Sequence, residues 1–557
     1  MLTPLAAFHT AVERQGDRAY LRQPINGKYV EYTWNETARQ ARNVAYQLTQ
    51  MGVKKGDKVA IWSKNCAEWI IADIAIMMMG GVSVPLYPGQ SKANVQYVLE
   101  HSESKVMFVG KHDDDEHVVK SIPDNFQTIG FQYFSGTTNY DWSVMAAIQA
   151  PDSFQENVQQ MHDVMTIVYT SGTTGQPKGA VHTCRSFASA SNNLVEEIGI
   201  DMNDRSISFL PLAHVAERMV VEGQSLYAWF IVSFAESLDT FTQNVIDARP
   251  TSFFAVPRLW SKFQEGILAK VGGEKKLNLL LSLPVVSFFI KRKIRAGLGL
   301  SHARLLGCGA SPIPKATLEW FQKLGMPILE GYGMTETMGY GAAATPQARK
   351  VGTVGRALPQ CQIKISDEGE ILFKSPTMME GYYKEPEKTA EVMIDGFYRT
   401  GDKGQLDARG FLSITGRVKE LFKTTKGKYV APAPIEGLLA AHPFIEQVCV
   451  MGSGRDQPVA IIELSETARS SSQLEVAEAI YHHLQATNEQ LEHHERISQV
   501  LLTQITWTVE AGLITPTLKI RRDQIEQRYL HLMDNRPADE MVVWAPKEDQ
   551  ESAIKAA

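Results

Sequence analysis

Cysteine is scarce in this sequence, and its placement excludes several classes of protein. The 557 residues include five cysteines, and none lies in a CxxC pair or at the spacing of a cysteine–histidine metal site. They are Cys66, Cys184, Cys308, Cys361 and Cys449. A disulfide-stabilised fold would need many paired cysteines, so we expect reduced thiols in a reducing compartment. A zinc site is not expected.

The sequence also lacks long apolar runs and a strong excess of either charge. No stretch of about 18 apolar residues occurs, so no membrane-spanning helix is expected. The first twenty residues have neither a basic start nor a long apolar core, which argues against a secretory signal. The composition is 44% hydrophobic and 21% charged, with a net charge of −6, and offers no basic face for nucleic acid. We therefore expect a cytoplasmic globular protein with no nucleic-acid partner.

Two segments come closest to a membrane span. Trp69–Tyr87 carries Asp73 and a pair of glycines, which favours a buried helix followed by a strand. Leu277–Ile294 is interrupted by Pro284 and contains the basic run 291–293. We expect this second segment to pack against its own protein. The alternative is an interfacial segment whose basic edge faces anionic lipid, which would place the protein peripherally on the inner face of a membrane.

Helical and strand patterns alternate along the first 350 residues. Short apolar runs such as KVAIWS, KVMFVG and TIVYT lie between helical segments such as ETARQARNVAYQLTQMG. This alternation predicts an α/β fold in which two mainly parallel sheets are covered by helices. Residues 351–415 carry short strands and glycine turns, which predicts a small antiparallel sheet or barrel. We place a large N-terminal domain at residues 1–416 and a small, mobile α+β C-terminal domain at residues 417–557, with a hinge near 417–420.

The segment TIVYTSGTTGQPKGAVHT, residues 166–183, joins a buried strand to a loop of hydroxyl and glycine residues before Lys178. Backbone N–H groups and hydroxyls in such a loop can surround an anionic oxygen cluster, and the lysine adds a point charge. The spacing differs from GxxxxGK[ST], since Lys178 follows a proline and precedes a glycine. From these residues alone, a phosphate loop and a solvated turn are equally good interpretations.

Three later stretches favour the phosphate interpretation. EGYGMTET places Thr335 and Glu336 after a glycine-flanked tyrosine, where a carboxylate could hold Mg²⁺ between phosphate oxygens. YRTGD ends in Asp402, which is suited to accept hydrogen bonds from ribose hydroxyls. GRVKELFKTTKGKYVAPAPIE supplies Arg417 at the proposed domain boundary.

In this order and at these separations, the four stretches closely resemble the adenylate-forming (AMP-binding) superfamily, over nearly the whole chain. FLPLAHVAERM, LLGCGASPIP and GRVKELFKTTKGKYVAP resemble its long-chain fatty acyl-CoA synthetase branch. The resemblance implies two half-reactions. A fatty acid carboxylate attacks the α-phosphate of MgATP to give acyl-AMP and pyrophosphate, and the thiol of coenzyme A then displaces AMP. ATP, Mg²⁺ and coenzyme A are the cofactors and co-substrates that the resemblance implies.

The resemblance also assigns site residues position by position. The phosphate loop would be lined by Ser171, Gly172, Thr173, Thr174 and Lys178. Mg²⁺ would be coordinated by Thr170 and Glu336. The nucleotide would be held by Gly309, Ala310, Ser311, Gly331, Tyr332, Gly333, Thr335, Asp402 and Arg417. Among these, Tyr332 would lie against the adenine, Thr335 would contact the α-phosphate, and Asp402 with Arg417 would hold the ribose.

Three further assignments concern the acyl group and the C-terminal domain. His214 would lie near the carboxylate or the entrance of the acyl tunnel, and a loop histidine bonded to backbone is the alternative. The PKTxxGK motif of the superfamily is replaced by GLITPTLKIRR, in which Lys519 is the implied catalytic cation. Arg521 and Arg522 follow closely and leave the register open. Lys419 is the implied hinge, about which the C-terminal domain rotates between half-reactions, although an ordinary exposed linker residue is the alternative.

Other functions remain open at this stage. The acyl group could pass to a carrier-protein thiol, or the acid could be an aryl, bile or amino acid. A catalytically inactive nucleotide-binding protein would share the fold, but it would have no need of the full charged set. That set is Lys178, Glu336, Asp402, Arg417 and Lys519. Neither the chain length of the acid nor the choice between monomer and homodimer follows from the sequence.

Overall fold

The computed structural model describes residues 1–170, 176–509, 511–515, 519–534 and 540–546. Its helices are α1 (Pro4–Gln15), α2 (Trp34–Gln50), α3 (Ala67–Met79), α4 (Lys92–Ser102), α5 (Asp115–Ser121), α6 (Trp142–Ala147), α7 (Cys184–Ile198), α8 (Val215–Glu217), α9 (Gln224–Ala228), α10 (Phe241–Ala248), α11 (Pro257–Val271), α12 (Glu274–Ser282), α13 (Pro284–Gly297), α14 (Lys315–Lys323), α15 (Pro386–Val392), α16 (Pro432–Leu439), α17 (Glu466–Arg469), α18 (Gln473–Asn488) and α19 (Arg522–Tyr529). A π-helical turn covers Arg218–Gly223, and 3₁₀ turns cover Thr335–Thr337, Val418–Glu420 and Leu530–Met533. All five cysteines are free thiols.

The strands are β1 (Ala19–Ile25), β2 (Lys28–Thr33), β3 (Lys58–Trp62), β4 (Val82–Leu86), β5 (Ser104–Val109), β6 (Gln127–Gly130), β7 (Tyr140–Asp141), β8 (Val164–Thr170), β9 (Lys178–Thr183), β10 (Arg205–Ser208), β11 (Ile231–Phe234), β12 (Ser252–Ala255), β13 (Leu305–Cys308), β14 (Ile328–Tyr332), β15 (Ala342–Ala343), β16 (Arg356–Ala357), β17 (Gln362–Ile365), β18 (Glu370–Lys374), β19 (Gly381–Tyr382), β20 (Met393–Ile394), β21 (Phe397–Leu406), β22 (Leu412–Arg417), β23 (Phe422–Lys423), β24 (Tyr429–Val430), β25 (Ile445–Met451), β26 (Val459–Leu464), β27 (Gln499–Thr503) and β28 (Val542–Trp544).

The largest sheet has the strand order β19-β9-β8-β4-β3-β5-β6-β7. Its strands from β8 to β7 are parallel, and β9 and β19 extend it by antiparallel pairs. Every residue of α3 is buried, as expected for a helix that is apolar on all sides. The buried helix and strand predicted within residues 69–87 are therefore confirmed as α3 and β4.

Two further sheets of the N-terminal region contain parallel strands. Strands β12, β13 and β14 are parallel, and β15 and β16 continue that sheet in antiparallel fashion. The other sheet has the order β10-β11-β1-β2 and was not predicted separately. Its pairing joins distant parts of the chain, with Leu21 opposite Val232, so local patterns could not reveal it. The prediction of an α/β fold with mainly parallel sheets is confirmed.

Residues 351–415 contain the small antiparallel unit that the glycine turns predicted. Strands β17, β18, β21 and β20 are paired in that order, and β22 pairs with β21. The short strand β19 also lies in this region but is not part of the small sheet. It pairs with β9 of the largest sheet, which places Tyr382 opposite Ala180. The small sheet and the largest sheet are thereby joined beside the end of the loop that precedes Lys178.

The C-terminal region begins at the 3₁₀ turn Val418–Glu420, directly after β22. Its sheet has the order β25-β26-β27-β28, with antiparallel and parallel pairs as in an α+β unit. An apolar core on one face includes Val476 and Ile480 of α18, and a second on the other face includes Ile525 of α19. The region thus has cores of its own, as a separate domain requires.

A buried ion network supports the strand that leads into the loop. Arg218 has no exposed side-chain surface and lies 2.6 Å from Asp73 and 3.0 Å from Glu222. It also donates a hydrogen bond of 2.6 Å to the hydroxyl of Thr166 in β8. A buried guanidinium needs such partners, since its removal from water is costly. The network fixes β8 against α3 and the π-helical turn.

Helices α12 and α13 are linked by Leu283 and contact each other, and we refer to residues 274–297 as the α12–α13 hairpin. Leu277 is buried, and Ile290 and Ile294 pack partly against the same core, whereas Phe288 and Phe289 are exposed. The expectation that this segment packs against its own protein therefore holds for one face only. Among the residues that the structure describes, no helix combines the length and apolar character needed to cross a bilayer.

Candidate functional site

The antiparallel hairpin β8–β9 positions the two ends of the proposed phosphate loop. Thr170 and Lys178 are directly paired across it, and the hydroxyl of Thr170 donates to the carbonyl of Lys178 over 3.4 Å. A hydroxyl and an ammonium therefore stand at the mouth of the loop. Four assigned loop residues lie outside the described part of the chain: Ser171, Gly172, Thr173 and Thr174.

The carboxylate of Glu336 lies beside this hairpin. Glu336 is buried in the 3₁₀ turn after β14, and its Oε1 accepts a hydrogen bond of 2.7 Å from the hydroxyl of Tyr382. The ammonium of Lys178 lies 5.0 Å from the centre of the Tyr382 ring. Tyr382 thus connects the assigned metal ligand to the assigned phosphate lysine. The sequence analysis missed Tyr382, because only the β9–β19 pairing brings it to the site.

A histidine that the sequence analysis also missed holds the neighbouring residue. The Nε2 of His182 donates 2.7 Å to the backbone carbonyl of Thr335. Burial lowers the pKa of His182 to about 4, so the imidazole is neutral and its Nε2 carries the proton. His182 lies four residues after Lys178 in the same strand, so both side chains are on one face. That period-two relation is the sequence signal that could have identified it.

The residues assigned to the ribose form a linked cluster. The hydroxyl of Tyr332 donates 2.5 Å to Oδ2 of Asp402, and Nε of Arg417 lies 3.0 Å from Oδ1 of the same carboxylate. Asp402 and Arg417 are also directly paired in β21 and β22. Burial and then the charge of Asp402 raise the pKa of Tyr332. Burial alone would lower the pKa of Arg417, but the charges of Asp402 and Glu420 raise it.

Two segments of small residues form the wall beside Tyr332. They follow the parallel strands β13 and β14, and Ala310 takes the left-handed conformation with φ 69°. A Cβ atom on Gly309 would lie 3.0 Å from the carbonyl oxygen of Gly331, and one on Gly333 would lie 2.3 Å from a backbone carbonyl of the following turn. The close approach of the backbones therefore requires glycine. Ser311 continues the first segment and is exposed.

His214 makes the backbone hydrogen bond that one of its two interpretations required, and its place near the acyl group stays a prediction. Its Nδ1 accepts a hydrogen bond of 3.1 Å from the backbone N–H of Ala216, so it is bonded to backbone. Burial, followed by the positive charge of Lys519, lowers its pKa to about 4. His214 is therefore a neutral imidazole at the edge of the same site. Its ring also lies 6.4 Å from that of Tyr87.

Lys519 brings a cation from the C-terminal region to this cluster. Its side chain keeps exposed surface, yet desolvation by the surrounding protein lowers its pKa, and the charge of Arg417 lowers it further. The negative charges of Asp402 and Glu336 raise the pKa of Lys519 and offset part of this lowering. The C-terminal region is thus oriented with this ammonium toward the nucleotide residues.

The two arginines that follow Lys519 have other environments. Arg522 donates to both oxygens of Glu436, at 2.6 and 3.1 Å, and to the carbonyl of Val450 at 2.5 Å. Arg521 is the N-cap residue directly before α19, and its backbone N–H donates to the carbonyl of Leu513. Arg522 therefore contacts its own region, whereas Lys519 lies within range of the charges of Asp402 and Glu336. Lys419 is exposed in the 3₁₀ turn after β22.

One ion pair joins α11 to β25 across the two regions. Nη2 of Arg258 lies 2.5 Å from Oε1 of Glu446. Burial raises the pKa of nearby Glu265, and the charge of Glu446 raises it further. The contact of the C-terminal region with the N-terminal region is therefore partly electrostatic.

Sequence profiles of known families match both regions. The profile described as AMP-binding enzyme matches residues 8–383, and that of the AMP-binding enzyme C-terminal domain matches residues 420–536. The long-chain-fatty-acid–CoA ligase FadD15 of Mycobacterium bovis is 30% identical, over 91% of this chain and 92% of that protein. Fatty acyl-CoA synthetase A of Dictyostelium discoideum is 26% identical, over 94% of this chain and 88% of that protein.

Solved structures share the fold at lower identity. The adenylation domain of a carboxylate reductase from Mycobacterium chelonae superposes with a TM-score of 0.82 at 24% identity, covering 96% of this chain and 91% of that chain. An anthranilate CoA ligase in complex with anthranoyl-AMP gives a TM-score of 0.78 at 20% identity, covering 96% and 98%. These likenesses agree with the α/β architecture and its C-terminal unit.

Proposed function

Since the chain belongs to the AMP-binding enzyme family, we propose that it is a fatty-acid–CoA ligase. It joins a medium- or long-chain fatty acid to coenzyme A through an acyl-AMP intermediate, with release of pyrophosphate and AMP. The observation that carries this proposal is the position of Lys519 among the charges of Arg417, Asp402 and Glu336. The names of the full-length relatives supply the class of acid.

The nucleotide side of the site binds ATP through groups that are already in place. Asp402 accepts hydrogen bonds from the ribose hydroxyls with the lone pairs that Tyr332 and Arg417 leave available. The ring of Tyr332 and the small-residue wall at Gly309 enclose the base. Lys178 neutralises charge on the terminal phosphates. Each of these groups is held by the strand pairings described above.

Mg²⁺ fits the donor chemistry of two residues near the loop. Thr170 offers a hydroxyl oxygen and Glu336 a carboxylate, and hard divalent cations prefer oxygen ligands together with substrate phosphates. When bound, Mg²⁺ supplies charge neutralisation to the phosphate oxygens. The hydrogen bond from Tyr382 orients Glu336, and the hydrogen bond from His182 holds the backbone of Thr335 beside it.

In the first half-reaction, an oxygen of the fatty acid carboxylate forms a bond to the α-phosphorus while the bond to pyrophosphate breaks. The carboxylate, with an ordinary pKa of about 4.3, is already ionised near neutral pH, so no general base is required. The obstacle is repulsion between an anion and a polyanion, which positioned cations reduce. Lys519 supplies a compact ammonium at this point, and neutral His214 adds no competing charge.

In the second half-reaction, the thiol of coenzyme A attacks the acyl carbonyl and AMP leaves. The thiol needs the space that Lys519 occupies, so the C-terminal domain rotates about the hinge at Lys419. The segment KGKYVAP, residues 426–432, is then available to line the pantetheine tunnel. The ion pair between Arg258 and Glu446 belongs to the first orientation and must open.

The partners in this proposal are a fatty acid, ATP and coenzyme A, in a cytoplasmic enzyme. A fatty acid partitions into bilayers, so the proposed function includes peripheral contact with a membrane surface. Each buried methylene contributes about 0.8 kcal/mol to binding, and selectivity for chain length therefore depends on the depth of the acyl tunnel.

The test is ATP–pyrophosphate exchange with purified protein and a panel of acids, followed by thioester formation with coenzyme A. The panel runs from butyrate to stearate and includes aryl and amino acids. We expect exchange with medium- or long-chain fatty acids, and a thioester only when coenzyme A is present. Exchange with aryl acids alone would contradict the acid class. Exchange without thioester formation would favour a carrier-protein acceptor, and no exchange with any acid would favour an inactive protein.

A further inference from the structure

The hairpin α12–α13 exposes a cluster of large apolar side chains on the face opposite its buried one. The exposed fractions are 64% for Leu279, 50% for Leu283, 72% for Val285, 63% for Phe288 and 60% for Phe289. Three of them follow the spacing i, i+3 and i+4 in α13, so they share one side of that helix. The other two are Leu279 in the second half of α12 and Leu283 between the helices. The cluster is therefore concentrated at the turn of the hairpin.

Basic side chains lie in the same two helices as this apolar cluster. Arg292 and Lys293 are exposed and lie three and four residues after Phe289, one turn further along the same side of α13. Lys275 and Lys276 are exposed at the start of α12. Residues 274–297 contain six basic residues and one acidic residue, whereas the whole chain has a net charge of −6. Positive charge is thus concentrated on an otherwise acidic protein.

We propose that the α12–α13 hairpin docks the protein on an anionic lipid bilayer. The apolar turn enters the boundary between headgroups and acyl chains, and the basic residues contact lipid phosphates. Helices of 9 and 14 residues are too short to span a bilayer, but an apolar face with a basic edge is typical of a segment that lies in the interface. The basic residues add attraction to anionic lipid.

The charges also favour a membrane over a second copy of the chain. A symmetric dimer through this face would place the same patch on both partners, so Arg292 and Lys293 would approach the basic residues of the other copy. Like charges brought together in an interface oppose association. An anionic lipid surface instead complements them. The membrane contact included in the proposed function is thereby assigned to the α12–α13 hairpin. The exposed apolar side chains and the basic residues of the hairpin support this assignment independently of the reaction.

Vesicle sedimentation of the full-length protein tests the proposal. The vesicles are either phosphatidylcholine alone or equimolar phosphatidylcholine and phosphatidylglycerol. We expect the unaltered protein to sediment with the anionic vesicles at low salt and much less at high salt. The combined change Phe288→Ser with Phe289→Ser, and the combined change of Lys291, Arg292 and Lys293 to glutamine, should each weaken partitioning about tenfold or more. These side chains contribute little to the core, so both variants should fold.

The matched control replaces three exposed lysines elsewhere, Lys92, Lys120 and Lys323, by glutamine. It changes net charge equally and should partition like the unaltered protein. Absence of binding to anionic vesicles, or equal loss in this control, would overturn the proposal. So would a change from dimer to monomer in the phenylalanine variant, since the face would then join two copies. ATP–pyrophosphate exchange with dispersed fatty acid, measured without vesicles, should persist in both hairpin variants, which separates this proposal from the proposed function.

Discussion

The two halves of the candidate site are held in different ways. On the N-terminal side, Tyr332, Asp402 and Arg417 are linked by short polar contacts, and Glu336 is held by Tyr382. On the C-terminal side, the side chain of Lys519 is exposed and lies within range of the charges of Asp402 and Glu336. The proposed nucleotide half is built into paired strands, whereas the proposed cation lies in the C-terminal region.

This difference indicates a division of roles. The N-terminal half of the site binds the nucleotide, and the C-terminal half determines in which half-reaction the cation is present. A nucleotide pocket formed in advance loses little entropy when ATP binds. A cation on a movable domain can be present in one half-reaction and absent in the next. The predictions below test this division, beginning with the change expected to have the largest effect.

Replacing Lys519 should separate the two half-reactions. We expect Lys519→Ala to lower acyl-AMP formation by roughly 10²- to 10³-fold, because a positioned charge beside the reacting phosphate is lost. Thioester formation from preformed acyl-AMP should change little. Lys519→Arg should restore little, because a planar fork replaces a point charge. Lys323→Ala, an exposed lysine on α14, is the control. Equal impairment of both half-reactions in Lys519→Ala would contradict the division.

Glu336→Gln should affect the N-terminal half of the site, which is built into paired strands. The amide oxygen can still accept from Tyr382, so the change removes charge while keeping the hydrogen bond. We expect acyl-AMP formation to fall roughly 10²-fold, with partial recovery at high Mg²⁺ concentration. The measurement is pyrophosphate exchange across a Mg²⁺ titration. Unchanged exchange at low Mg²⁺ would remove Glu336 from the metal site.

The pH dependence should differ between the half-reactions. The pKa of Lys519 is below that of an ordinary lysine, so its charge is present at low pH and is lost as the pH rises through that lowered value. We expect kcat/KM for acyl-AMP formation to fall on the alkaline side by about tenfold for each pH unit above the pKa of the free enzyme. The rate of thioester formation should show no such alkaline fall. In the Lys519→Arg variant, the alkaline fall in acyl-AMP formation should disappear. The same alkaline limb in the Arg variant would assign it to another group.

Tyr382→Phe should have a smaller effect, because it leaves both charges in place. Loss of one hydrogen bond to a carboxylate should lower acyl-AMP formation about tenfold and raise the Mg²⁺ concentration needed for half-maximal rate. The neighbouring Tyr383 bonds to exposed Glu103 instead, so Tyr383→Phe is a matched control. If both variants behave alike, Tyr382 has no special relation to Glu336.

The smallest effect is expected at the contact between the regions. Arg258→Ala or Glu446→Ala should weaken the first orientation by about 0.2–1 kcal/mol, because partly exposed ion pairs contribute little. Acyl-AMP formation should fall up to about fivefold while thioester formation is retained. The double variant should resemble either single one, and Lys262→Ala on the same helix is the control. Additive losses in the double variant would show that the two side chains act independently.

Features that are local in the chain could be predicted from the sequence, whereas features that depend on pairing between distant strands could not. Lys178, Glu336, Asp402 and Arg417 each lie in a short stretch whose residue types suggest their chemistry, and the structure places them in one region. Tyr382 was missed because its role depends on pairing between β19 and β9. The mixed sheet that pairs β1 with β11 was missed for the same reason. Local patterns do not report contacts between distant strands.

The surface of the α12–α13 hairpin could not be assigned from sequence for a different reason. Its apolar content is enough for either a buried or an interfacial helix. In the structure, some of its apolar side chains are buried and others are exposed. Leu277 faces the core, whereas Phe288 and Phe289 face outward. Composition measures how apolar a segment is, but which side meets the core depends on the neighbouring helices.

The pairing of β9 with β19 has a consequence for synthesis on the ribosome. At about 5–20 residues per second, roughly 10–40 s separate the emergence of Lys178 from that of Tyr382. During that interval β9 forms an unpaired edge of the largest sheet, and such edges readily pair with other chains. A nascent chain that stops before residue 381 therefore carries a nucleotide loop without the tyrosine that supports it, together with an edge prone to aggregation.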